Sequence, residues 1–379
     1  MVYSERNPNG RNANAMRSLF AGLWLGLLAW PFMGWLSSVQ LAVSVALGLW
    51  LWRRAIDGSG RLEKRCGKFT FHRILERLYA SSFVRRCGIG LALILPLFLN
   101  NYYVDTLSLA LLYAILAVGL NVTVGQTGLL DLGYAAFYGI GAYLYALLST
   151  RMGLPFWPGL LLGGVTAALF GLLLGMITLR LQGDYLAIVT LGFVQIVYLV
   201  LNNWDAVTHG PNGILQIGRP RIAGFQLNRP IHFYYLALSL LTLTVVVVSR
   251  LTHSQIGRAF LAIREDPVAA AAMGINVTWM KIGAFALGAG IAGVAGVFFA
   301  AKYAFVSPES FNFQESVRVL SMVVLGGMGS LPGAILGALL LTLLPEFLRE
   351  LEHYRMLVFG MALVVMMRFR PQGLWGGRA

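Results

Sequence analysis

Charged residues and cysteines are both scarce in this chain. Only 12% of its 379 residues are Asp, Glu, Lys or Arg, about half the share that a soluble globular domain carries. The two cysteines, Cys66 and Cys87, are too few for a disulfide framework. Because 58% of the residues are apolar and long stretches lack any charge, the composition excludes disorder, a collagen-like repeat and an ordinary soluble enzyme.

The motifs of several enzyme classes are also missing. No GxxxxGK[ST] phosphate-binding loop occurs, because the sole Gly-Lys pair, Gly67-Lys68, is followed by Phe69. The five histidines lie far apart without an HExxH pattern, and there is no GxSxG nucleophile elbow. We therefore expect no catalytic residue, no metal ligand and no cofactor bound by this chain.

Long apolar runs are what the sequence has in abundance. A helix needs about 20 apolar residues to cross a bilayer. Residues 19–52 carry no charge and, with Pro31 and Gly34 near the middle, predict a hairpin of two helices, a cleavable signal being the alternative. Ten further spans are predicted near 87–103, 105–120, 132–149, 156–179, 184–201, 231–249, 282–300, 317–329, 331–347 and 355–369. A glycine-rich turn separates the predicted spans 317–329 and 331–347. These two spans are equally consistent with a broken or re-entrant pair.

The position of the basic residues sets the expected orientation. Residues 53–86 hold ten basic and three acidic side chains, which favours a cytoplasmic segment on anionic membrane lipid over a nucleic-acid site. If each following span crosses the membrane in the opposite direction to the one before, 21 of the 29 Lys and Arg lie inside. Arg318 is then among those on or near the outer side. The predicted fold is an all-α polytopic membrane protein: an N-terminal extension of about two helices (1–86), then a core of about ten (87–379).

The inner segment 250–281 contains a predicted short helix. Asp266 can cap it, Pro267 can take its first position, alanines favour it, and Gly274 can end it. Its small, smooth surface could dock a cytoplasmic partner, although a helix that only connects two spans fits as well. The predicted docking residues are Arg264, Glu265, Asp266, Pro267, Ala269, Ala270, Ala271, Ala272, Met273 and Gly274.

Residues 120–143 are unusually polar and rich in glycine for a membrane span. Small residues let helices approach closely, and polar groups at this depth must face protein or a wet cavity. A translocation path satisfies both conditions, whereas ordinary glycine packing, with Asp131 as a cap, is the alternative. The candidate path residues are Asn121, Gly125, Gly128, Asp131, Tyr134, Tyr138 and Thr190, the last from a following span.

Several stretches together resemble one family of membrane proteins. They are LNVTVGQTGLLDLGYAAFYGIGAYLYALL at 120–148, GPNGI at 210–214, GRAFLAIREDPVAAAAMGI at 257–275, VVLGGMGSLPGAILGA at 323–338 and RPQGLWG at 370–376. In this order they resemble the permease subunits of bacterial ABC importers for branched-chain amino acids. The long basic N-terminal extension looks like the larger of the two paired permeases in such systems.

This resemblance implies the partners and the setting. The chain would be a multi-pass protein of the bacterial cytoplasmic (inner) membrane, in a heterodimer with a second homologous permease. Two cytoplasmic ABC ATPases would bind ATP and Mg and receive the short helix. A periplasmic or lipid-anchored substrate-binding protein would contact Asn212 and Gly213. Because the substrates are zwitterions with apolar side chains, we expect a mostly apolar path without a fixed charge. A urea or short-chain amide permease of the same superfamily and an ion-coupled secondary transporter are the alternatives.

Overall fold

The computed structural model describes residues 92–178, 181, 183–222, 225–347, 360, 373 and 374. These residues belong to the unit Ala92–Ala379. The predicted hairpin at 19–52, the basic segment 53–86 and nearly all of the predicted span at 355–369 lie outside the described residues.

Helices make up almost all of the described chain. A first helix covers residues 92–98. The other helices are α1 (Asn101–Leu120), which continues as a π-helix (Asn121–Gln126), α2 (Tyr134–Met152), α3 (Phe156–Thr178), α4 (Asp184–Asn203), α5 (Asp205–Thr208), α6 (Pro230–Thr252), α7 (Gln255–Glu265), α8 (Pro267–Ala272), α9 (Val277–Tyr303), α10 (Phe313–Gly326) and α11 (Leu331–Phe347). Two 3-10 helices, Gly210–Asn212 and Pro308–Phe311, complete the set.

Five helices in the described part are long and apolar enough to cross a membrane. They are Asn101–Gln126, Phe156–Thr178, Asp184–Asn203, Pro230–Thr252 and Val277–Tyr303. The shorter α2, α10 and α11 pack among them. This arrangement confirms the prediction of an all-α polytopic membrane protein.

Two predicted boundaries can be compared directly with the structure. The first break falls at Leu99–Asn100 rather than at 104, because Asn100 is extended (φ −63°, ψ 153°) and α1 already begins at Asn101. The predicted pair at 317–329 and 331–347 consists of two separate helices, α10 and α11, joined by a turn at Gly327 (φ 116°) and Gly329 (φ 87°). Glycine suits this turn because it adopts positive φ without strain.

Facing glycines hold α9 against α2 and α3. A Cβ on Gly141 of α2 would lie 2.3 Å from the carbonyl oxygen of Gly293 in α9, and a Cβ on Gly293 would lie 2.5 Å from the carbonyl oxygen of Gly163 in α3. Such small residues allow the close backbone approach that stabilises helix pairs in lipid. The three helices therefore form a tight centre around which the other spans are arranged.

This close approach makes a stability prediction. We expect Gly141→Val to destabilise the protein by about 1–3 kcal/mol or more, because neither backbone can retreat without moving a whole helix. The control is Gly192→Val in α4, where a Cβ would meet nothing within 4 Å. The measurement is the thermal unfolding midpoint of each purified variant in detergent, and equal midpoints for the two would contradict the packing argument.

The connection between α4 and α6, which the alternation of spans predicts to be on the outer side, is ordered by short elements. It contains α5, a 3-10 helix and three two-residue strands: β1 (Ile214–Leu215), β2 (Arg221–Ile222) and β3 (Phe225–Gln226). Strands β2 and β3 pair with each other, while β1 pairs antiparallel with β4 (Phe305–Val306), the strand that follows α9. The β1–β4 pair ties this loop to the segment leading into α10.

Candidate functional site

The connector between α6 and α9, predicted to be on the inner side and called the inner connector here, consists of two capped helices. Ser254 caps α7 by accepting a hydrogen bond from Gly257 N at 3.4 Å. Asp266 Oδ1 caps α8 by accepting from Val268 N at 2.8 Å and from Ala269 N at 3.2 Å. Pro267 takes the first position and Gly274, at φ 84°, follows the helix end. The predicted short helix is therefore present, with the predicted cap.

One side of α8 presents apolar surface to the outside of the chain. Val268 and Met273 are 77% and 83% exposed. Ala270, by contrast, is only 4% exposed and faces the protein. The apolar face of α8 consists of Val268, Ala269, Ala271, Ala272 and Met273, all of them exposed. Glu265 and Asp266 are exposed beside this face.

Arg264, at the end of α7, contacts the polar residues 120–143, which are called the polar segment here. Its guanidinium Nη1 donates to the carbonyl oxygen of Gly125 at 2.7 Å. Its aliphatic stem lies against Gly128, where an added Cβ would be 3.2 Å from Arg264 Cγ. Of the three charged residues predicted to surround the docking surface, Arg264 thus lies inward, against its own chain. Arg264 was predicted in the docking surface, and Gly125 and Gly128 were predicted in the candidate path, but the structure brings all three together.

Gly125 lies in the π-helix that continues α1. Single π turns inside α-helices occur often at functional sites. Asn121, at the start of this turn, accepts a hydrogen bond from Gly329 N at 2.8 Å, which ties the turn to the α10–α11 connection. Three buried side chains of this region have polar atoms without a partner: Asn121 Nδ2, both polar atoms of Gln126, and Asp131 Oδ2. Unsatisfied buried polar groups are costly, so their clustering here marks a place that is not optimised for packing alone.

Asp131 lies in the connector between the π-helix and α2. Its Oδ1 accepts a hydrogen bond from Gly133 N at 2.8 Å, so the carboxylate shapes the turn that precedes α2. Burial raises the pKa of Asp131 to about 7, although the bond from Gly133 works in the opposite direction. The carboxyl group of Asp131 can therefore gain or lose a proton near neutral pH.

The remaining path candidates are buried inside this single chain. The Tyr134 hydroxyl donates to the carbonyl oxygen of Gly288 at 3.2 Å. Tyr138 packs edge-on against Phe311. Thr190 accepts from Leu132 N at 3.0 Å. In this conformation these side chains support the packing of α2 on its neighbours.

The two residues predicted to contact a binding protein differ in position. Asn212 is exposed on the outer loop. Gly213 is buried, has φ 69°, and a Cβ there would lie 2.1 Å from the carbonyl oxygen of Val306. Asn212 can therefore meet a partner, whereas Gly213 is required by the turn that leads into β1.

Three polar side chains that the sequence did not single out meet inside the bundle: Tyr113 of α1 with Glu315 and Arg318 of α10. The Tyr113 hydroxyl donates to Glu315 Oε1. Arg318 Nη1 lies 2.9 Å from the Tyr113 oxygen and 3.1 Å from Glu315 Oε2. Tyr113 is halfway along the 26-residue helix Asn101–Gln126.

The outer placement of Arg318 stays a prediction, and the structure adds that Arg318 lies beside Tyr113, at the middle of the helix Asn101–Gln126. A count of charges by side assigns each charged residue to the end of a span, whereas α10 begins beside Tyr113, at the middle of the neighbouring helix. The available signal was an acid and a base three residues apart at the edge of a predicted span, since ionisable groups in a span are uncommon and functional. Tyr113, Glu315 and Arg318 are named the mid-membrane triad below.

A bundle of apolar spans, a capped inner helix with an apolar surface and a buried polar segment are together the features of a membrane transport permease. Residues 102–367 match the model of the family described as the branched-chain amino acid transport system permease component. The chain belongs to this family and is a transport subunit of a branched-chain amino acid ABC importer rather than an enzyme.

Individual relatives agree with this assignment. The chain is 45% identical to the high-affinity branched-chain amino acid transport system permease protein LivM of Escherichia coli over 307 residues, covering 75% of this chain and 72% of LivM. LivM of Salmonella typhimurium is also 45% identical, over 74% of this chain and 71% of its own length. BraD of Pseudomonas aeruginosa is 27% identical over 72% of this chain and 94% of BraD. No solved structure shows significant similarity.

Proposed function

We propose that this permease imports branched-chain amino acids across the bacterial cytoplasmic (inner) membrane as one half of a heterodimer with a second, homologous permease. Two cytoplasmic ABC ATPases bind ATP and Mg and supply the energy. A periplasmic or lipid-anchored substrate-binding protein delivers the amino acid to the outer loop that carries Asn212. Specificity for the side chain lies chiefly in that binding protein.

The single observation that carries the energy-coupling part of this proposal is the apolar face of α8. Exposed apolar side chains such as Val268 and Met273 on a water-facing connector favour a protein contact. The face is small and smooth because alanines make up most of it, so a groove on a partner can approach its backbone closely. The capping by Asp266 keeps α8 rigid enough to transmit a push.

The hydrogen bond from Arg264 to Gly125 can transmit movement of α7 and α8 to the membrane-spanning helices. When ATP brings the ATPases together, α7 and α8 move with them, and the bond from Arg264 to Gly125 passes that movement to the π-helix. The π-helix in turn is tied to the α10–α11 connection through Asn121 and Gly329. Alternating access needs such a two-state element, biased by a ligand that binds one state better.

The polar segment is the part of the path that this movement alters. Asn121, Gln126 and Asp131 have buried polar atoms without partners in the present conformation. A rearrangement that admits water or substrate there would satisfy them. Gly125, Gly128, Tyr134, Tyr138 and Thr190 would then line or support the opening.

The experiment that tests the proposal is uptake of radiolabelled leucine into proteoliposomes. The liposomes contain this permease with its co-purifying partners, ATP is enclosed, and the binding protein is outside. We expect uptake only when both ATP and the binding protein are present. Uptake that follows an ion gradient without ATP would contradict the proposal, and ATP-dependent uptake of urea but not leucine would move the substrate to the amide class.

A further inference from the structure

Two members of the mid-membrane triad, Glu315 and Arg318, belong to α10, a helix that is too short to cross the membrane. Helix α10 has 14 residues, a length of about 21 Å at 1.5 Å per residue, against about 30 Å for the hydrocarbon core. Near its start Glu315 contacts Tyr113, halfway along α1. Just after its end Gly329 contacts Asn121, near the inner end of the same span. Helix α10 is therefore too short to cross the membrane, and it runs from the level of Tyr113 to the inner end of α1 with its N-terminus toward the outer side.

The guanidinium of Arg318 has partners in the described part of the chain at one of its three nitrogen atoms. Within the part of the chain that the structure describes, Nη1 alone has partners, namely the Tyr113 oxygen and the Glu315 carboxylate. The Arg318 side chain is 54% exposed, whereas that of Glu315 is 14% exposed. The remaining N–H donors of Arg318 have no hydrogen-bond partner among the described residues, and a guanidinium presents its donors in a fork that matches a carboxylate.

The exposed side of Arg318 cannot face lipid. A charged side chain at mid-membrane depth faces a wet cavity, a pathway or another protein. Arg318 shares its exposed side of α10 with Gln314, one turn earlier, and with Val317. An amide, a guanidinium and an aliphatic group along one side match the polar head and apolar side chain of an aliphatic amino acid.

The balance of charge around Arg318 favours a transiently bound amino acid over a permanent contact with a carboxylate of another subunit. Glu315 already balances Arg318, so a fixed carboxylate from a neighbouring subunit would leave one negative charge in excess at low dielectric. A zwitterionic amino acid brings its own ammonium group together with its carboxylate, so the net charge at the site does not change. The N-terminus of α10, one turn away from Arg318, adds partial positive charge on the side from which the substrate arrives.

We propose that Arg318 binds the α-carboxylate of the amino acid halfway along the translocation path, and that Glu315 and Tyr113 are positioning residues that hold its guanidinium. This inference rests on the proposed function, and it replaces the expectation of a path without a fixed charge. The amino acid can dissociate from this site, because Glu315 competes with the substrate carboxylate for Arg318.

The first test compares Arg318→Lys and Arg318→Gln in the leucine uptake assay. We expect Arg318→Gln to lower the maximal uptake rate about tenfold or more, because no charged fork remains. Arg318→Lys should fall several-fold, since a point charge replaces a planar fork. The amount of ATPase that co-purifies with each variant should stay close to wild type, which shows that the importer still assembles. Unchanged uptake for both variants would overturn the proposal.

The double variant Arg318→Gln/Glu315→Gln separates carboxylate binding from mere charge pairing. A structural ion pair is costly to break but is often replaceable as a whole by neutral residues. If Arg318 only balances Glu315, the double variant regains wild-type uptake, and the proposal is wrong. If Arg318 binds the substrate, the double variant stays at the level of Arg318→Gln.

A labelling experiment keeps the proposal testable even if Arg318→Gln fails to assemble. The native Cys66 and Cys87 are replaced by serine, and Arg318→Cys is treated with a membrane-impermeant cationic methanethiosulfonate. We expect reaction from the water phase, slower reaction while leucine is being transported, and partial recovery of uptake as the positive charge returns. An anionic reagent should give no recovery. A thiol that never reacts would place Arg318 in a permanent protein contact and overturn the proposal.

The outcomes also distinguish this inference from the proposed function. If the unmodified permease gives no uptake that depends on ATP and binding protein, the proposed function fails. If the unmodified permease transports leucine and the double variant does so equally well, only the inference about Arg318 fails.

Discussion

Replacement of Ala271 by arginine is expected to abolish leucine uptake while leaving the permease folded in the membrane. Ala271 is exposed on the apolar face of α8. Arginine is a good helix former and suits the end of a helix, so α8 itself should persist. A long charged side chain, however, would hold any partner surface several ångströms away and would have to be desolvated within the contact. The measurement is uptake in proteoliposomes together with the amount of ATPase that co-purifies with the permease.

Two neighbouring substitutions serve as controls for Ala271→Arg. Ala271→Ser keeps a small side chain and should retain uptake. Ala270→Arg would place a charge at a position that is only 4% exposed, so it should reduce the amount of folded permease rather than its contact with the ATPases. Wild-type uptake by Ala271→Arg would show that the apolar face of α8 does not dock a partner.

Local signals allowed α8 to be predicted residue by residue. Asp266, Pro267 and Gly274 act within one turn of the chain, so their effects are visible in the sequence and recur in the structure. The apolar spans were equally predictable, because their length is set by the bilayer. Their boundaries moved by a few residues where a single residue, such as Asn100, adopts an extended conformation.

Features that depend on distant contacts were not predictable in this way. The π-helix at Asn121–Gln126 is bonded to Arg264 and Gly329, which lie more than a hundred residues further along the chain. The contacts of Tyr113 with Glu315 and Arg318 join residues that lie more than two hundred positions apart. Neither contact leaves a periodic pattern, so composition identified the polar segment without revealing how it is tied to the inner connector.

The role proposed for Arg264 depends on one such contact, and its removal should uncouple ATP hydrolysis from transport. A hydrogen bond from a charged donor contributes about 1.5–3 kcal/mol, which corresponds to about 10–100-fold in the population of the engaged state. We therefore expect Arg264→Ala to lower leucine uptake per ATP hydrolysed about tenfold or more. The measurement is uptake and ATP hydrolysis in the same proteoliposomes.

The matched control is Arg258→Ala on the same helix α7. Arg258 is exposed, and within the described part of the chain its Nη1 reaches only the carbonyl oxygen of His253, at 3.3 Å, in the same connector. Both variants lose one positive charge from the inner surface, so a general electrostatic effect would affect them equally. Only Arg264→Ala breaks the bond to Gly125 in the π-helix. If the ATPases dissociate from the Arg264→Ala permease, the arginine contributes to docking instead. If uptake per ATP is unchanged, the push reaches the path by another route, such as the direct continuation of the connector into α9.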